Sequence, residues 1–279
     1  MTSLQKISVL GGGLLGGSLA LSAGVGHRVT LWSRRPETTA LARIRGMNAT
    51  SDLPEAVRDA DLLILCVPVG SMAELLRRAI EAGLPERCLI TDVGSVKRLP
   101  HDALRPLLLE QGRHFIGSHP MAGGEKGGVE HSRADLYQGA ACLLTNDENA
   151  PAEMCVALEN FWQELGCRTA WTTAVEHDAI VARVSHFPHA LACIGAKVSL
   201  QDPAWGIYCG NGLRDTTRVA AGNPTMWAEI LLENRDQVLH ALQDSRQEMD
   251  VLTKLLDSAD KPALEQWLEN ARRLRQGLP

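Results

Sequence analysis

The chain is poor in aromatic residues and has no apolar run that suggests a membrane span. Aromatic side chains make up 4% of its 279 residues, and no apolar run approaches the roughly 18–20 residues that a transmembrane helix needs. The first ten residues, MTSLQKISVL, lack a long apolar segment before a cleavage site, so they do not resemble a signal peptide. We therefore expect a soluble, cytoplasmic protein.

A disulfide framework and a strong charge field are also missing. The seven cysteines are scattered and never in CxxC spacing, which argues against disulfides and against a cysteine-based zinc site. The net charge of −5 gives no basic field that would attract nucleic acid or a membrane surface. With 45% hydrophobic and 22% charged residues, the composition is that of an ordinary globular protein without such partners.

The first part of the chain alternates short apolar runs with helical segments. Buried strands are predicted at 6–10, 28–32, 62–67, 88–93, 114–117, 140–144 and 168–171, with helices at 14–23, from 36 and at 152–165. This alternation predicts βαβ units and a mostly parallel sheet. Beyond residue 172 only helical periodicity is found, at 176–199, 205–219, 225–257 and 262–275. We expect an α/β Rossmann-type domain over 1–172 and an all-α dimerisation domain over 173–279, joining two copies in a homodimer.

A glycine-rich turn after the first predicted strand indicates a dinucleotide site. Gly11, Gly13 and Gly16 fit the pattern G-x-G-x-x-G between a strand and a helix, where the glycines allow a tight turn, close approach of a pyrophosphate and close helix packing. Further cofactor contacts are expected where this helix begins and where the strand at 62–67 ends, at Leu14, Leu15, Cys66, Val67 and Pro68.

The end of the second predicted strand favours NADP over NAD. An acidic residue here would bind the ribose hydroxyl of NAD, but the chain has Ser33, Arg34 and Arg35 and no acid before Glu37. A hydroxyl and two guanidinium groups suit the additional phosphate of NADP. The alternative is that both arginines belong to a solvated loop.

Four further motifs carry a family resemblance. They are TDVGSVK at 91–97, GSHPMAG at 117–123, SHFPH at 185–189 and GLRDTTRVA at 212–220. In this order, over nearly the whole chain, the sequence resembles the prephenate/arogenate dehydrogenase family of tyrosine biosynthesis. The resemblance implies oxidative decarboxylation of prephenate to 4-hydroxyphenylpyruvate, or of arogenate to tyrosine, with release of CO2 and reduction of NADP. Which substrate is preferred, and whether L-tyrosine inhibits, stay open.

His119 is the candidate general base. It follows a predicted strand at the edge where parallel sheets bind ligands, and the imidazole pKa of about 6.5 suits proton acceptance near neutrality. The alternative is a histidine whose hydrogen bonds are satisfied within a loop. The resemblance implies that Ser95 hydrogen-bonds the substrate hydroxyl, His119 and the nicotinamide. For Lys97, a helix cap, an anion contact and a solvated surface position all stay open.

A bidentate arginine would suit the substrate carboxylate, and the resemblance gives this role to Arg218. We expect Arg214, one helical turn earlier, to form a structural ion pair with Asp215 or Asp178. The resemblance further implies substrate contacts in the second domain and in the loop after the base, at Ser185, His186, His189 and Glu125. A zinc site at the HxxH of residues 186–189 lacks an evident third ligand, and Pro188 should kink this helix.

Two other functions are considered. One is a two-domain β-hydroxyacid-type dehydrogenase, which would need a catalytic lysine in the second domain, yet Lys197 lies in no matching motif. The other is a non-catalytic NADP-binding sensor, which would have no reason to keep His119, Ser95 and Arg218 together.

Overall fold

A computed structural model describes residues 4–124 and 126–278 and shows one eight-stranded sheet. The strand order is β3-β2-β1-β4-β5-β6-β7-β8, and all neighbours are parallel except β6 and β7. The strands are β1 (Lys6–Leu10), β2 (Arg28–Trp32), β3 (Ala49–Thr50), β4 (Leu62–Leu65), β5 (Leu89–Asp92), β6 (Phe115–Pro120), β7 (Ala141–Thr145) and β8 (Arg168–Thr172). This confirms the predicted mostly parallel α/β domain.

Helices cover both faces of the sheet, and β1, β4 and β5 are accordingly buried on both sides. The helices of this domain are α1 (Leu14–Ala23), α2 (Pro36–Ile44), α3 (Leu53–Val57), α4 (Met72–Glu81), α5 (Arg98–Gln111) and α6 (Ala152–Glu164). Helices α1, α2 and α6 enclose one hydrophobic core, in which Trp162 and Tyr137 are the largest residues. Helices α3, α4 and α5 enclose the other core, around Phe115.

The described residues beyond β8 contain only helices. They are α7 (Ala174–Val181), α8 (Phe187–Ser199), α9 (Asn211–Thr217), α10 (Pro224–Glu233), α11 (Arg235–Asp257) and α12 (Lys261–Gln276). The prediction of one continuous helix over 225–257 is wrong, because the helix breaks at Asn234 between α10 and α11. The side chain of Asn234 is fully buried and hydrogen-bonds groups on other helices, so the break places a polar side chain inside the protein.

Helices α7 and α8 are joined by a π-helical turn, Ala182–His186. Pro188 follows at the start of α8, so its missing N–H falls where the hydrogen-bond register has already changed; the expected proline kink takes the form of this π turn. By length and composition alone, the helix from Ala174 to Ser199 would suffice to cross a membrane, although no apolar run in the sequence predicts a span. Its buried residues His177 and Asp178 contact His119, Lys97 and Arg98 of the sheet domain.

Candidate functional site

The turn between β1 and α1 has the shape of a dinucleotide cradle. Gly11 adopts a φ of +133°, and a Cβ there would lie 2.1 Å from the carbonyl oxygen of Cys66. A Cβ on Gly16 would lie 1.9 Å from the carbonyl oxygen of Gly11. A Cβ on Gly13, in contrast, would meet nothing within 4 Å. Gly11 and Gly16 are therefore required by the protein's own packing, whereas the space at Gly13 suits an approaching phosphate at a helix N-terminus.

The other predicted cofactor residues surround this turn. Ser33, after β2, is buried, and its hydroxyl accepts a hydrogen bond from the backbone N–H of Arg35 at 3.3 Å. Arg34 and Arg35 are exposed and form no ion pair in the described part of the chain. Leu14, Leu15, Cys66 and Val67 are half-buried and Pro68 is exposed. The carboxyl ends of β1, β2 and β4 thus present these residues to one edge of the sheet.

His119 lies on β6 with its ring linked to the helical domain. Its Nδ1 is 2.9 Å from Nε2 of His177, and Nδ1 of His177 is 2.8 Å from Oδ1 of Asp178. His177 and Asp178 are adjacent on α7 and are completely buried, while His119 is 7% exposed. Within the described residues, Nε2 of His119 has no hydrogen-bond partner, so it is the ring nitrogen available to a substrate.

Burial controls the charge of these groups. Burial, with smaller contributions from His177 and Lys97, holds the pKa of His119 well below its usual value. Burial also lowers the pKa of His177, although Asp178 acts in the opposite direction. For Asp178, burial would raise the pKa, but hydrogen bonds from His177 and from two backbone N–H groups bring it below its usual value. The arrangement therefore holds two neutral histidines beside an ionised carboxylate near pH 7.

Asp178 is also the centre of contacts between the two domains. Its oxygens accept hydrogen bonds from the backbone N–H groups of Lys97 and Arg98 at 2.7 and 3.1 Å, and from Nε of Arg98 at 3.0 Å. Arg98 continues to Asp236 on α11, at 2.5 and 2.8 Å, and to Asn234. The start of α5 in the sheet domain is thereby fixed to α7 and α11 in the helical domain.

The histidines of the 185–189 motif are buried beside this network. His186 Nδ1 is 3.3 Å from Nδ2 of Asn234, and burial, opposed in part by Asp178, lowers the pKa of His186 to about 4. The Ser95 backbone carbonyl also interacts with His186, which brings the half-buried Ser95 next to this helix. His189 stacks on Trp227 with ring centroids 3.5 Å apart. Ser185 is half-buried on the same turn.

Arg218 lines a cleft of about 420 Å³ between the domains. The cleft is lined by Leu14, Gly123, Gly124, Lys126, His131, Arg133, Leu136 and Arg218. Arg218 therefore shares one space with the N-terminus of α1, where the glycine turn ends. Three of the lining side chains, Lys126, Arg133 and Arg218, are basic, which suits an anionic ligand. Glu125, predicted in the same loop, lies outside the described residues.

The structure decides between the alternatives for Lys97 and corrects the expectation for Arg214. Lys97 occupies the N-cap position of α5, and its side chain is completely buried with Nζ 2.5 Å from Oδ2 of Asp92, which excludes the solvated surface position. The expected ion pair of Arg214 with Asp215 or Asp178 is wrong: Arg214 is exposed and forms no ion pair within the described residues, while Asp178 is paired with Arg98. Arg98 and Asp178 are 80 residues apart in sequence, so this pairing depends on long-range packing.

From sequence alone, no functional role is predicted for His177, Asp178, Asn234 or Trp227. A signal was present for the first pair, because adjacent His and Asp residues in an otherwise apolar helical segment indicate buried polar groups that need partners. Neither the break at Asn234 nor the stacking of Trp227 on His189 had a comparable local signal. Within the described residues, no three potential ligands lie together in a way that would hold a metal ion.

Comparisons with known proteins agree with this geometry. The model of the prephenate dehydrogenase nucleotide-binding domain matches residues 18–171, and that of the prephenate dehydrogenase dimerization domain matches residues 173–270. The chain is 32% identical to the cyclohexadienyl dehydrogenase of Zymomonas mobilis over 290 aligned positions, which cover 100% of this chain and 97% of that protein.

Solved structures give the same result. The prephenate dehydrogenase of Aquifex aeolicus in complex with hydroxyphenyl propionate and NAD+ is 28% identical, with a TM-score of 0.88 and 98% of each chain covered. The Synechocystis arogenate dehydrogenase is 30% identical, with a TM-score of 0.83, and the similarity covers 98% of this chain and 99% of that one.

Proposed function

The chain belongs to the prephenate dehydrogenase family, and from that premise we propose that it oxidises and decarboxylates prephenate, arogenate or both, with NADP as the preferred cofactor. The observation that carries this proposal is the open Nε2 of His119, which lies on β6 where the sheet domain contacts α7 of the helical domain. The β-hydroxyacid and sensor alternatives lose their support, because the family match extends over both domains.

The sheet domain fits a nicotinamide dinucleotide. The space beside Gly13 and the N-terminus of α1 would take the pyrophosphate, and the half-buried side chains after β1 and β4 would line the rest of the site. When bound, the nicotinamide supplies a hydride acceptor.

His119 is proposed to hold the proton that the reaction must move. Its Nε2 accepts the proton of the hydroxyl on ring carbon C4 as the hydride leaves that carbon. The bond from C1 to the carboxylate then breaks, CO2 leaves, and the electron pair of that bond makes the ring aromatic. His119 returns its proton to the ring oxygen, so the enzyme ends the cycle in its starting protonation state. The low pKa of His119 keeps it neutral and ready to accept the proton near pH 7.

Ser95, Arg218 and the histidines of the helical domain are proposed to hold the substrate. The Ser95 hydroxyl would orient the C4 hydroxyl toward His119. Arg218 would hold the ring carboxylate in the cleft until it leaves as CO2. Ser185, His186 and His189 would form the opposite wall of the pocket. Glu125, which lies outside the described residues, is proposed as a further substrate contact.

The preference for NADP is supported by Arg34 and Arg35, which are exposed and unpaired within the described residues. Two guanidinium groups that need no partner within the protein are available to a phosphate on the adenosine ribose. NAD remains the competing cofactor in the assay described below.

We propose the domain boundary at residues 172/173, between β8 and α7, and a cytoplasmic homodimer joined through the helical domains. Apolar side chains exposed along α10 and α11 support this assembly, since Leu232 is 67% and Leu239 is 61% exposed. Further exposed apolar residues follow the helix from Ala174 to Ser199, at Ile180, Val184, Leu191, Ile194 and Val198.

The proposed reaction is tested by following NADPH and NADH absorbance with prephenate and with arogenate, each with both cofactors. The variant His119→Asn should bind substrate but lose about 10²–10⁴-fold in kcat, because the proton acceptor is removed. Near wild-type turnover of this variant with both substrates would contradict the assigned base. If the unmodified enzyme oxidises neither compound, the function is wrong. Added L-tyrosine in the same assay tests for inhibition.

A further inference from the structure

The proton positions in the His119–His177–Asp178 chain follow from what each atom can donate. The carboxylate of Asp178 is ionised, because hydrogen bonds keep its pKa low, and an ionised carboxylate only accepts hydrogen bonds. Nδ1 of His177, at 2.8 Å from Oδ1, must therefore carry a hydrogen. The backbone N–H groups of Lys97 and Arg98 occupy further acceptor positions on the same carboxylate, so its orientation is fixed.

The second link in the chain follows from the first. A neutral histidine carries one ring hydrogen, so Nε2 of His177 is a lone pair and must accept. The atom that faces it at 2.9 Å is Nδ1 of His119, which must then donate. If Nδ1 of His119 were unprotonated, two lone pairs would face each other inside the protein, at the cost of an unmade buried hydrogen bond.

We infer that His177 and Asp178 are positioning residues that hold the proton of His119 on Nδ1 and thereby keep its Nε2 as the base, an inference that rests on the function proposed above. The hydrogen bond from Nδ1 also supports the charge that His119 acquires during turnover, because it becomes charge-assisted when Nε2 takes a proton. A base as deeply buried as His119 needs this support, since burial opposes its charged form.

Residues of both domains form the hydrogen-bond chain that fixes the tautomer of His119. His119 belongs to β6, whereas His177 and Asp178 belong to α7. Arg98 and Asn234 fix α7 in place, since Arg98 bonds Asp178 and Asn234 donates to the backbone carbonyl of Asp178 at 2.7 Å. The base therefore has its working tautomer when the helical domain is docked on the sheet.

Two substitutions of His177 separate positioning from simple packing. In His177→Leu, the acceptor for Nδ1 of His119 is removed, and we expect kcat to fall on the order of 10²-fold, at the low end of general-base effects, with KM changed less than about threefold. In His177→Gln, the amide oxygen can accept from His119 while the amide N–H donates to Asp178. We expect this variant to recover most of the lost kcat. His101→Leu is the matched control, since His101 is equally buried and bonds Thr145 instead.

The position of the proton on the His119 ring can be measured directly, without an activity assay. Nitrogen NMR of the unmodified protein, with His119 assigned by comparison with His119→Asn, should show Nδ1 protonated and Nε2 unprotonated at pH 7. The opposite tautomer overturns the inference, even if the His177 variants do not fold. So does a kcat of His177→Leu near that of the unmodified enzyme, or an equal loss of kcat in the Leu and Gln variants. Failure to oxidise prephenate or arogenate contradicts the proposed function alone, because the tautomer is measured independently.

Discussion

The two domains differ in how completely each one buries its apolar residues. Around the sheet, β1, β4 and β5 are enclosed by helices on both faces, and two hydrophobic cores are complete. In the helical domain, α9 and α12 contain no buried residue, and large apolar side chains remain exposed along α7, α8, α10 and α11. The first domain has the interior of an independent unit, whereas the second has surface that a further chain would have to cover.

The largest expected effect concerns that uncovered surface. We predict that Leu232→Asp combined with Leu239→Asp converts the proposed homodimer to a monomer, with a dissociation constant raised at least about 10³-fold. In a two-fold interface each copy contributes its own carboxylates, and a buried charge without a partner costs about 3–5 kcal/mol. Light scattering across a concentration series measures the change.

Exposed apolar residues of the sheet domain provide the control for this prediction. Ile44 and Leu109 are 82% and 74% exposed, but they lie on separate helices of a domain whose cores are closed. Ile44→Asp with Leu109→Asp should leave the oligomeric state unchanged. If both double variants behave alike, the difference drawn between the two domains does not hold.

The closed interior of the sheet domain predicts a second large effect. Lys97→Met leaves the carboxylate of Asp92 buried without its cation, so we expect the free energy of unfolding to fall by about 3–5 kcal/mol. Lys197, exposed on α8, is the matched lysine of the open domain, and Lys197→Met should change stability by less than about 0.5 kcal/mol. Urea unfolding measures both changes. Similar losses of unfolding free energy in the two variants would contradict the difference between the closed sheet domain and the open helical domain.

Acidification should weaken the helical domain through His186. Its pKa of about 4 in the folded protein lies below the value of about 6.5 in an unfolded chain, so the unfolded state binds the proton more tightly. The stabilisation is complete above pH 6.5 and is lost as the pH falls toward 4, by an amount on the order of 3 kcal/mol.

The midpoint of thermal unfolding, measured across this pH range, should therefore fall less steeply in His186→Gln than in the unmodified protein. His240→Gln, at an exposed position of α11, should keep the original slope. An unchanged slope in His186→Gln would show that other groups control acid unfolding.

The smallest effect is expected on cofactor binding, at the two arginines that follow β2. Arg34→Ala with Arg35→Ala should raise KM for NADP at least about 10-fold and leave KM for NAD nearly unchanged, because charge-assisted hydrogen bonds contribute about 1.5–3 kcal/mol. Steady-state kinetics with both cofactors measures the difference. A higher kcat/KM for NAD than for NADP in the unmodified enzyme would contradict the cofactor preference.

The sheet domain could be predicted from sequence because its signals are local. Strand β4 is a run of four apolar residues, and Gly11, Gly13 and Gly16 mark the turn after β1. The role of Asn234 could not be predicted, because its partner Asp178 is 56 residues away in sequence. For Lys97 the ion-pair partner Asp92 is only five residues away, but no local pattern indicates that both side chains are buried. Helical periodicity over 225–257 gave no sign that Asn234 turns inward.

The candidate site, like the fold, could be predicted from sequence only in part. Motifs identified His119 and the histidines at 186 and 189, since these lie within recognisable local patterns. His177 carries no motif, and its importance follows only from its 2.9 Å distance to His119, which depends on how α7 docks against β6. Residues that lie within motifs were thus easier to identify than His177, whose contact with His119 depends on the packing of the two domains.

The π turn at Ala182–His186 accommodates one extra residue within a continuous helix. A π turn contains one residue more than an α turn, so a deletion within it would leave a regular helix from α7 through α8. Because the wider turn spreads one rotation over its extra residue, α8 would keep nearly the same orientation relative to α7 after such a deletion. His189 would stay on the side of the helix that faces Trp227, and His177 and Asp178 would stay in place. Elsewhere in this helix each residue corresponds to about 100° of rotation, so a deletion between His177 and the π turn would turn His189 away from Trp227.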